Sequence, residues 1–276
     1  MQKLNSTSSS LSVVVMAAGK GTRMNSPLPK VLHSLDGRTL VGHVLAAAQA
    51  LNADTAVVVT GHGAAEVEQS VGSQAADYPG LALRFVRQEP QLGTGHAVQQ
   101  AVPVLPDEGV VVILSGDVPL IEVQTLQDLV SACNGTRLAL LTVEITDPTG
   151  YGRVIRDRPE PSGQDVARIQ SIVEHKDATP AQLAVTEGYS GIMAAPAGWL
   201  KASLSRLTNH NAQKEYYLTD VVKMAVEQGL TVVASKIDDV LQVTGVNTAA
   251  QLVELEQLYL AAKTGEDSSK KNSFAK

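Results

Sequence analysis

The sequence predicts an α/β fold: a doubly wound, mostly parallel sheet with a smaller β-containing lid. Three observations lead there. Apolar runs alternate with helical patterns through the first half of the chain. The runs are nearly continuous in Val, Leu, Ile and Ala, as strands buried on both faces must be. Short polar connections join each strand to the next helix, which favours right-handed βαβ units.

Taken in order, Leu11–Met16, Thr55–Thr60, Leu81–Arg87, Val110–Ser115 and Leu138–Val143 read as strands. Between them, Thr39–Leu51, Ala64–Val71, Gly95–Val104 and Val123–Cys133 read as helices. The regularity breaks after Asp147, where Pro148, Gly150 and Gly152 intervene. Arg153–Arg156 and Val166–Val173 read as short antiparallel strands, with a loop tip over Arg158–Gly163. Glu187–Ala195 returns as a strand, Ala197–Arg206 and Leu218–Glu227 as helices, Thr231–Ser235 as a strand and Thr248–Ala262 as a last helix. The second half reads as an insertion and lid on the first. Residues 1–12, rich in Ser and Asn, form a disordered lead-in and the polar stretch 263–276 a disordered tail, leaving 13–262 as the folded domain.

Composition narrows the function. The chain has 276 residues, 44% of them hydrophobic and 18% charged, as in a soluble globular protein. A net charge of −6 argues against sequence-independent nucleic-acid binding, so basic residues that matter must act locally. The one cysteine, Cys133, permits no internal disulfide and no thiolate zinc site, and is expected as a buried thiol at a helix end. No apolar run approaches the ~20 residues of a membrane helix, and no signal-peptide core precedes Val13. The expected location is cytoplasmic, with no membrane partner.

Chemistry concentrates at strand ends. Val13–Met16 runs straight into Ala17-Ala18-Gly19-Lys20-Gly21-Thr22-Arg23-Met24, with Pro29-Lys30 just beyond. Glycines leave backbone N–H groups open to an anion, Arg23 can fork onto phosphate oxygens, and Lys30 adds a point charge. The loop is not a P-loop, lacking Gly-Lys-Ser/Thr, and Met24 breaks the dinucleotide pattern. In Ser115-Gly116-Asp117-Val118-Pro119 a carboxylate follows a buried strand; alone it could be a helix cap, but beside the opening loop it reads better as a ligand for a hard cation such as Mg2+. In Gln88–Ala97 a strand ends in a glycine-bearing turn. There Gln88, with Gly93 and Thr94, has the donors and acceptors that a pyrimidine edge requires, and His96 reads as structural. Acids and amides downstream suit sugar hydroxyls.

These residues carry a resemblance. Met16–Met24 with Pro29-Lys30 resembles the signature loop of sugar-nucleotide pyrophosphorylases. Gln91–His96, Gly116–Ile121, Asp147–Arg153, Ile172–Thr179, Asn211-Ala-Gln, Glu215–Asp220 and Gly245–Asn247 are similar, in that order, to the uridylyltransferase domain of the bacterial bifunctional N-acetylglucosamine-1-phosphate uridylyltransferases. The likeness spans about Val13 to Tyr259. It implies a Rossmann-like nucleotidyltransferase fold, with 13–146 the nucleotide-binding half and 147–247 the sugar-binding half. The implied reaction transfers UMP from UTP to a hexosamine 1-phosphate, most directly N-acetylglucosamine 1-phosphate, giving a UDP-sugar and pyrophosphate.

The resemblance further implies that Met16, Ala17, Ala18, Gly19, Lys30, Gln88, Gly93, Thr94, Ser115 and Gly116 contact the nucleotide, with Arg23 and Lys30 catalytic on the phosphates. It assigns Mg2+ to Asp117 and Asn247, and the sugar to Gly152, Glu174, Tyr189 and Asn247. Two residues depart from the family: Tyr189 stands where Asn is usual, and Ser115 where Tyr is usual. Tyr189 leaves open a different sugar 1-phosphate, and a non-catalytic nucleotide-sugar-binding module is the alternative from another class. The family's β-helix acetyltransferase domain does not resemble the stretch after Ala262, so neither its activity nor its trimer is implied, and a monomer or weak oligomer is expected.

Overall fold

In the computed structural model, which describes residues 10–157 and 168–264, strands form where the apolar runs lie. The first is β1 (Leu11–Ala17), followed by a small hairpin of β2 (Ser34–Leu35) and β3 (Arg38–Thr39). Then come α1 (Leu40–Ala50), β4 (Thr55–Thr60), α2 (Ala64–Ser73), β5 (Ala82–Arg87), α3 (Thr94–Gln99), β6 (Val110–Ser115), α4 (Val123–Cys133) and β7 (Leu138–Glu144). The second half supplies β8 (Gly152–Arg156), β9 (Ile169–Val173), α5 (Pro180–Leu183), β10 (Glu187–Pro196), α6 (Ala197–Leu204), α7 (Asp220–Glu227), β11 (Val232–Ile237) and α8 (Ala249–Thr264).

The main sheet runs β11-β7-β10-β6-β1-β4-β5. β1 is parallel to β4 and β6, β4 to β5, and β11 to β7. Successive strand side chains point to opposite faces, and both faces are covered. Val13 and Val15 therefore pack with Val41, Val44 and Leu45 of α1. Val14, between them, belongs to the core on the other face, where Ala97 and Val98 of α3 cover β1. That double burial is why the strand sequences are continuous rather than alternating. A third cluster of Met24, Leu35, Leu40, Leu241, Val246 and Leu255 ties the opening loop to α8. Cys133 is buried at the end of α4, and burial pushes its thiol pKa up.

The structure corrects several element boundaries. The helix expected over Gly95–Val104 ends at Gln99, and Val102–Val104 is a short 3-10 turn. Pro103 is the reason: its ring would clash with the carbonyl four residues earlier, which belongs to Gln99. Thr39 is a cap rather than a helical residue, its hydroxyl accepting from Gly42 N at 3.1 Å. Residues 11 and 12 belong to the sheet, not to a lead-in, and Ser12 is buried. The last helix continues past Ala262 to Thr264. Most informative is β10, expected in the lid. It lies in the middle of the main sheet, antiparallel to both β6 and β7. β8 and β9 branch from β10 as the antiparallel pair that was expected. The loop tip Arg158–Gly163, residues 166 and 167, and the tail from 265 lie outside the described residues.

Candidate functional site

Parallel strands present their carboxyl ends along one edge, where ligands of open α/β sheets bind. A cavity of about 440 Å³ opens there, and it gathers Met16, Ala17, Ala18, Gly19, Lys30, Gln88, Gly93, Thr94, Ser115 and Asp117. Nine of the ten residues expected around the nucleotide thus share one cavity with Asp117. Gly116 is the exception. It is buried, and its N–H donates to the Met16 carbonyl at 2.9 Å, extending the β1–β6 ladder instead of facing the cavity. Lys20, a basic residue of the opening loop, joins the wall with Val31 and Ala97, and so do Gln91 and Glu215, which carried no site role in the sequence.

The opening loop folds back on itself. Gly21 adopts φ +58°, and a Cβ there would lie 2.7 Å from the Lys30 Cβ, so only glycine lets the loop close over Lys30. Across the cavity, Gln88 is buried, and its amide group donates to Gly93 O at 2.9 Å. The same nitrogen lies 3.2 Å from His96 Nδ1. The Gln88 amide nitrogen is thereby held within the turn, which fixes the orientation of the side chain. Burial lowers the His96 pKa, as suits a neutral, structural ring. The Thr94 hydroxyl accepts from Leu218 N at 3.1 Å, and Gly95 N donates to Tyr216 O at 2.7 Å. Thr94 thus staples the turn to the segment before α7, and its hydroxyl keeps its own hydrogen to donate into the cavity that it lines.

The charged cluster sits at the cavity mouth. The Lys30 ammonium donates to Asp117 Oδ2 and, at 3.1 Å, to Asn247 Oδ1. Arg23 Nη2 donates to the same Asn247 oxygen at 3.0 Å. Ser115 Oγ donates to Asp117 Oδ1 at 2.6 Å, and Val246 N to the Asp117 carbonyl at 2.9 Å. Arg23, Lys30, Asp117 and Asn247, far apart in sequence, are thereby one unit. No group of three or more His, Cys, Asp or Glu side chains suited to a metal occurs among the described residues. The oxygen pair of Asp117 and Asn247 nevertheless fits a hard cation of the Mg2+ type, which needs only one or two protein oxygens beside phosphate and water. Both oxygens already converge on a single positive charge, the Lys30 ammonium. Arg23 and Asn247 line a neighbouring cavity of about 530 Å³ with Tyr151 and Ser190.

A smaller cavity of about 220 Å³ holds Gly152, Glu174 and Tyr189 and shares Met16 and Thr94 with the first. The β8–β9 pair builds it, since Arg153 faces Val173 and so brings Gly152 and Glu174 side by side. A Cβ on Gly152 would meet Ile172 Cγ2 at 2.7 Å and Glu174 Oε1 at 3.7 Å. Burial raises the Glu174 pKa, against the pull of the Thr219 hydroxyl, which donates to Oε1 at 2.8 Å. Tyr189 is buried beside it, and its hydroxyl has no partner among the described residues. Burial drives the Tyr189 pKa well above 10.0. Asn247 does not line this cavity. Thr219 and Tyr151 are site residues that sequence reasoning missed. Tyr151 had a signal in its flanking glycines, and Thr219 in its place within the Glu215–Asp220 motif. Among the described residues no helix is long and apolar enough to cross a membrane.

With this geometry the chain matches known proteins. Residues 13–215 match the MobA-like NTP transferase domain. The chain is 58% identical over 249 residues to the "Bifunctional protein GlmU" of Polaromonas naphthalenivorans (strain CJ2), covering 90% of this chain and 52% of that protein. It is 61% identical over 255 residues to the "Bifunctional protein GlmU" of Paracidovorax citrulli (strain AAC00-1), covering 92% and 52%. It therefore spans about half the length of these curated relatives. Among solved structures, a UDP-glucose pyrophosphorylase complexed with UDP-glucose superposes with a TM-score of 0.71 at 16% identity, covering 92% of this chain and 99% of that one, a likeness of fold.

Proposed function

The chain belongs to the MobA-like NTP transferase family, and from that premise we propose that it transfers a uridylyl group from UTP to a hexosamine 1-phosphate. N-acetylglucosamine 1-phosphate is the substrate this reading favours, with UDP-N-acetylglucosamine and pyrophosphate as products. The observation that carries it is the continuity of two cavities. Met16 and Thr94 line both the cavity with Gln88 and Lys30 and the cavity with Glu174. A triphosphate over Met16–Gly19 then turns its α-phosphorus toward a sugar phosphate held beside Glu174. The identity to two GlmU proteins supports the choice of sugar nucleotide chemistry.

In this reading the attacking group is a phosphate oxygen that is already an anion, so no general base and no covalent enzyme intermediate are required. A bond forms between that oxygen and the α-phosphorus, and the bond from the α-phosphorus to the bridging oxygen breaks, releasing pyrophosphate with the electron pair. Catalysis is positioning and charge stabilisation. Arg23 and Lys30 neutralise charge building on the leaving pyrophosphate. Gln88 accepts from the uracil N–H. Gly152 gives the sugar room beside the Glu174 carboxylate, which accepts from its hydroxyls. Asp117 and Asn247 would hold Mg2+, which neutralises phosphate oxygens when bound.

One observation favours a second reading, the same reaction on a different sugar 1-phosphate. The buried Tyr189 hydroxyl lacks a partner beside Glu174, and a donor at that position selects a sugar by its hydroxyl pattern. A pyrophosphate-release panel tests both: several sugar 1-phosphates against UTP, dTTP and CTP, with and without Mg2+. Release with UTP and N-acetylglucosamine 1-phosphate, dependent on Mg2+, is expected. Release confined to another sugar selects the Tyr189 reading. Binding of a UDP-sugar without release from any pair identifies a non-catalytic module.

A further inference from the structure

The two oxygens that fit a hard cation are already engaged by a cation of the chain itself. Lys30 donates to Asp117 Oδ2 and to Asn247 Oδ1, and its side chain and that of Asp117 are only 13% and 15% exposed. A divalent ion on those oxygens and the ammonium cannot share the position. We propose that Lys30 is a placeholder in the metal position, withdrawn by the polyphosphate of the nucleotide, so that metal binds with the nucleotide and not before it. The inference rests on the reading of Asp117 and Asn247 as metal ligands given above.

Which partner moves follows from how each is held. Asp117 is fixed from two sides, its Oδ1 by the Ser115 hydroxyl and its carbonyl by Val246 N. Asn247 is held too, its backbone N–H donating to Gln251 Oε1 at 2.9 Å and its side-chain amide to Gly245 O at 3.4 Å. The two ligands therefore keep their positions. Lys30 has a flexible four-carbon stem, and Lys30, Asp117 and the Met16–Gly19 loop line the same cavity. A triphosphate against that loop offers the ammonium several anionic oxygens in exchange for two protein ones. Ser115 takes a new role here as the positioning residue for Asp117. Because linkage is reciprocal, the metal must tighten nucleotide binding by the same factor by which the nucleotide tightens metal binding.

The test uses Mn2+ as probe, read by the electron paramagnetic resonance of the free ion, on the whole chain with and without UTP and with no sugar phosphate. Without UTP, Lys30→Met is expected to bind Mn2+ on the order of 10-fold to 100-fold tighter than the unmodified chain, by removal of one close positive charge. Lys30→Arg keeps the charge and keeps binding weak, and adding Asp117→Asn to Lys30→Met abolishes the gain. Should Lys30→Met fail to fold, the unmodified chain still decides: it must bind Mn2+ at least about tenfold more weakly without UTP than with it, after correction for Mn2+ held by free UTP. If Lys30→Met gains nothing while Asp117→Asn still weakens Mn2+ binding to the UTP-loaded chain, the metal position stands and the placeholder is overturned. If Asp117→Asn changes nothing in either state, the reading of the metal ligands falls, and the placeholder with it.

Discussion

Glu174 is held where a carboxylate is poorly solvated. Burial raises its pKa above the ordinary 4.5, the Thr219 hydroxyl pulls it back in part, and Asp220, Asp177 and Glu215 push it up further. Stability from a group whose folded pKa is raised is fully present below the unfolded value and is lost as pH rises through the folded value. Above that window the chain keeps a charged, desolvated carboxylate, which in the proposed function gains its further donors from sugar hydroxyls. Glu174→Gln is therefore expected to raise the melting temperature near pH 7.5, with the gain vanishing as pH falls below about 4.5. The same variant is expected to raise KM for the sugar 1-phosphate roughly tenfold, the effect of weakening a hydrogen bond to a charged group. Melting curves across pH, paired with KM values, check both. A variant less stable than the unmodified chain at pH 7.5 would show that the carboxylate serves the fold rather than the site.

The turn between β5 and α3 is the element where local geometry and site are coupled most tightly. Gly93 has φ +106° and ψ 174°, a region essentially closed to other residues. A Cβ there would lie 2.7 Å from Tyr216 O, and the Gly93 carbonyl holds the Gln88 amide. Gly93→Ala is expected to cost about 1–3 kcal/mol of stability and to weaken UTP binding, because Gln88 loses its orientation. Denaturant titration and calorimetric UTP binding measure the two effects, and unchanged UTP affinity in a destabilised variant would separate Gln88 from the base. This turn also marks how far the sequence could be read. Its glycines, Gln88 and Thr94 were visible as a site, but the Thr94 staple was not, because its partner Leu218 is 124 residues away. The parallel strands were legible because burial on both faces writes itself as an unbroken apolar run. β10 was not placed, since Ile192–Ala195 reads the same whether its strand runs with or against its neighbours. Asp117 and Asn247 were joined by the resemblance as a metal pair, but the contact of Lys30 with both was not legible, since it depends on closure of the loop at Gly21.

Over the whole molecule, the position of β10 decides whether the two expected halves are separable. Met193 of β10 faces Ile113 of β6 on one side and Leu140 of β7 on the other. β11, also from the second half, extends the sheet beyond β7. Detaching residues 147–247 would remove a central strand and leave β6 and β7 unpaired along buried edges, which is costly because buried backbone groups must find partners. A lid in the mechanical sense can then consist only of what branches from β10, the β8–β9 pair with Gly152 and Glu174. The expected consequence is a single cooperative unfolding transition. The one tryptophan, Trp199 in α6, donates to Gln228 Oε1 and reports on the second half. Amide exchange of Val13–Val15 in β1 reports on the first. Both are expected to show the same denaturant midpoint. Saturation with Mg2+ and UTP at about 100 times Kd is expected to move both together by about 2.7 kcal/mol. A Trp199 transition at lower denaturant than the loss of β1 protection, or one left behind when the nucleotide is added, would mean that the halves are independent and that β10 contributes little to the stability of the strands beside it.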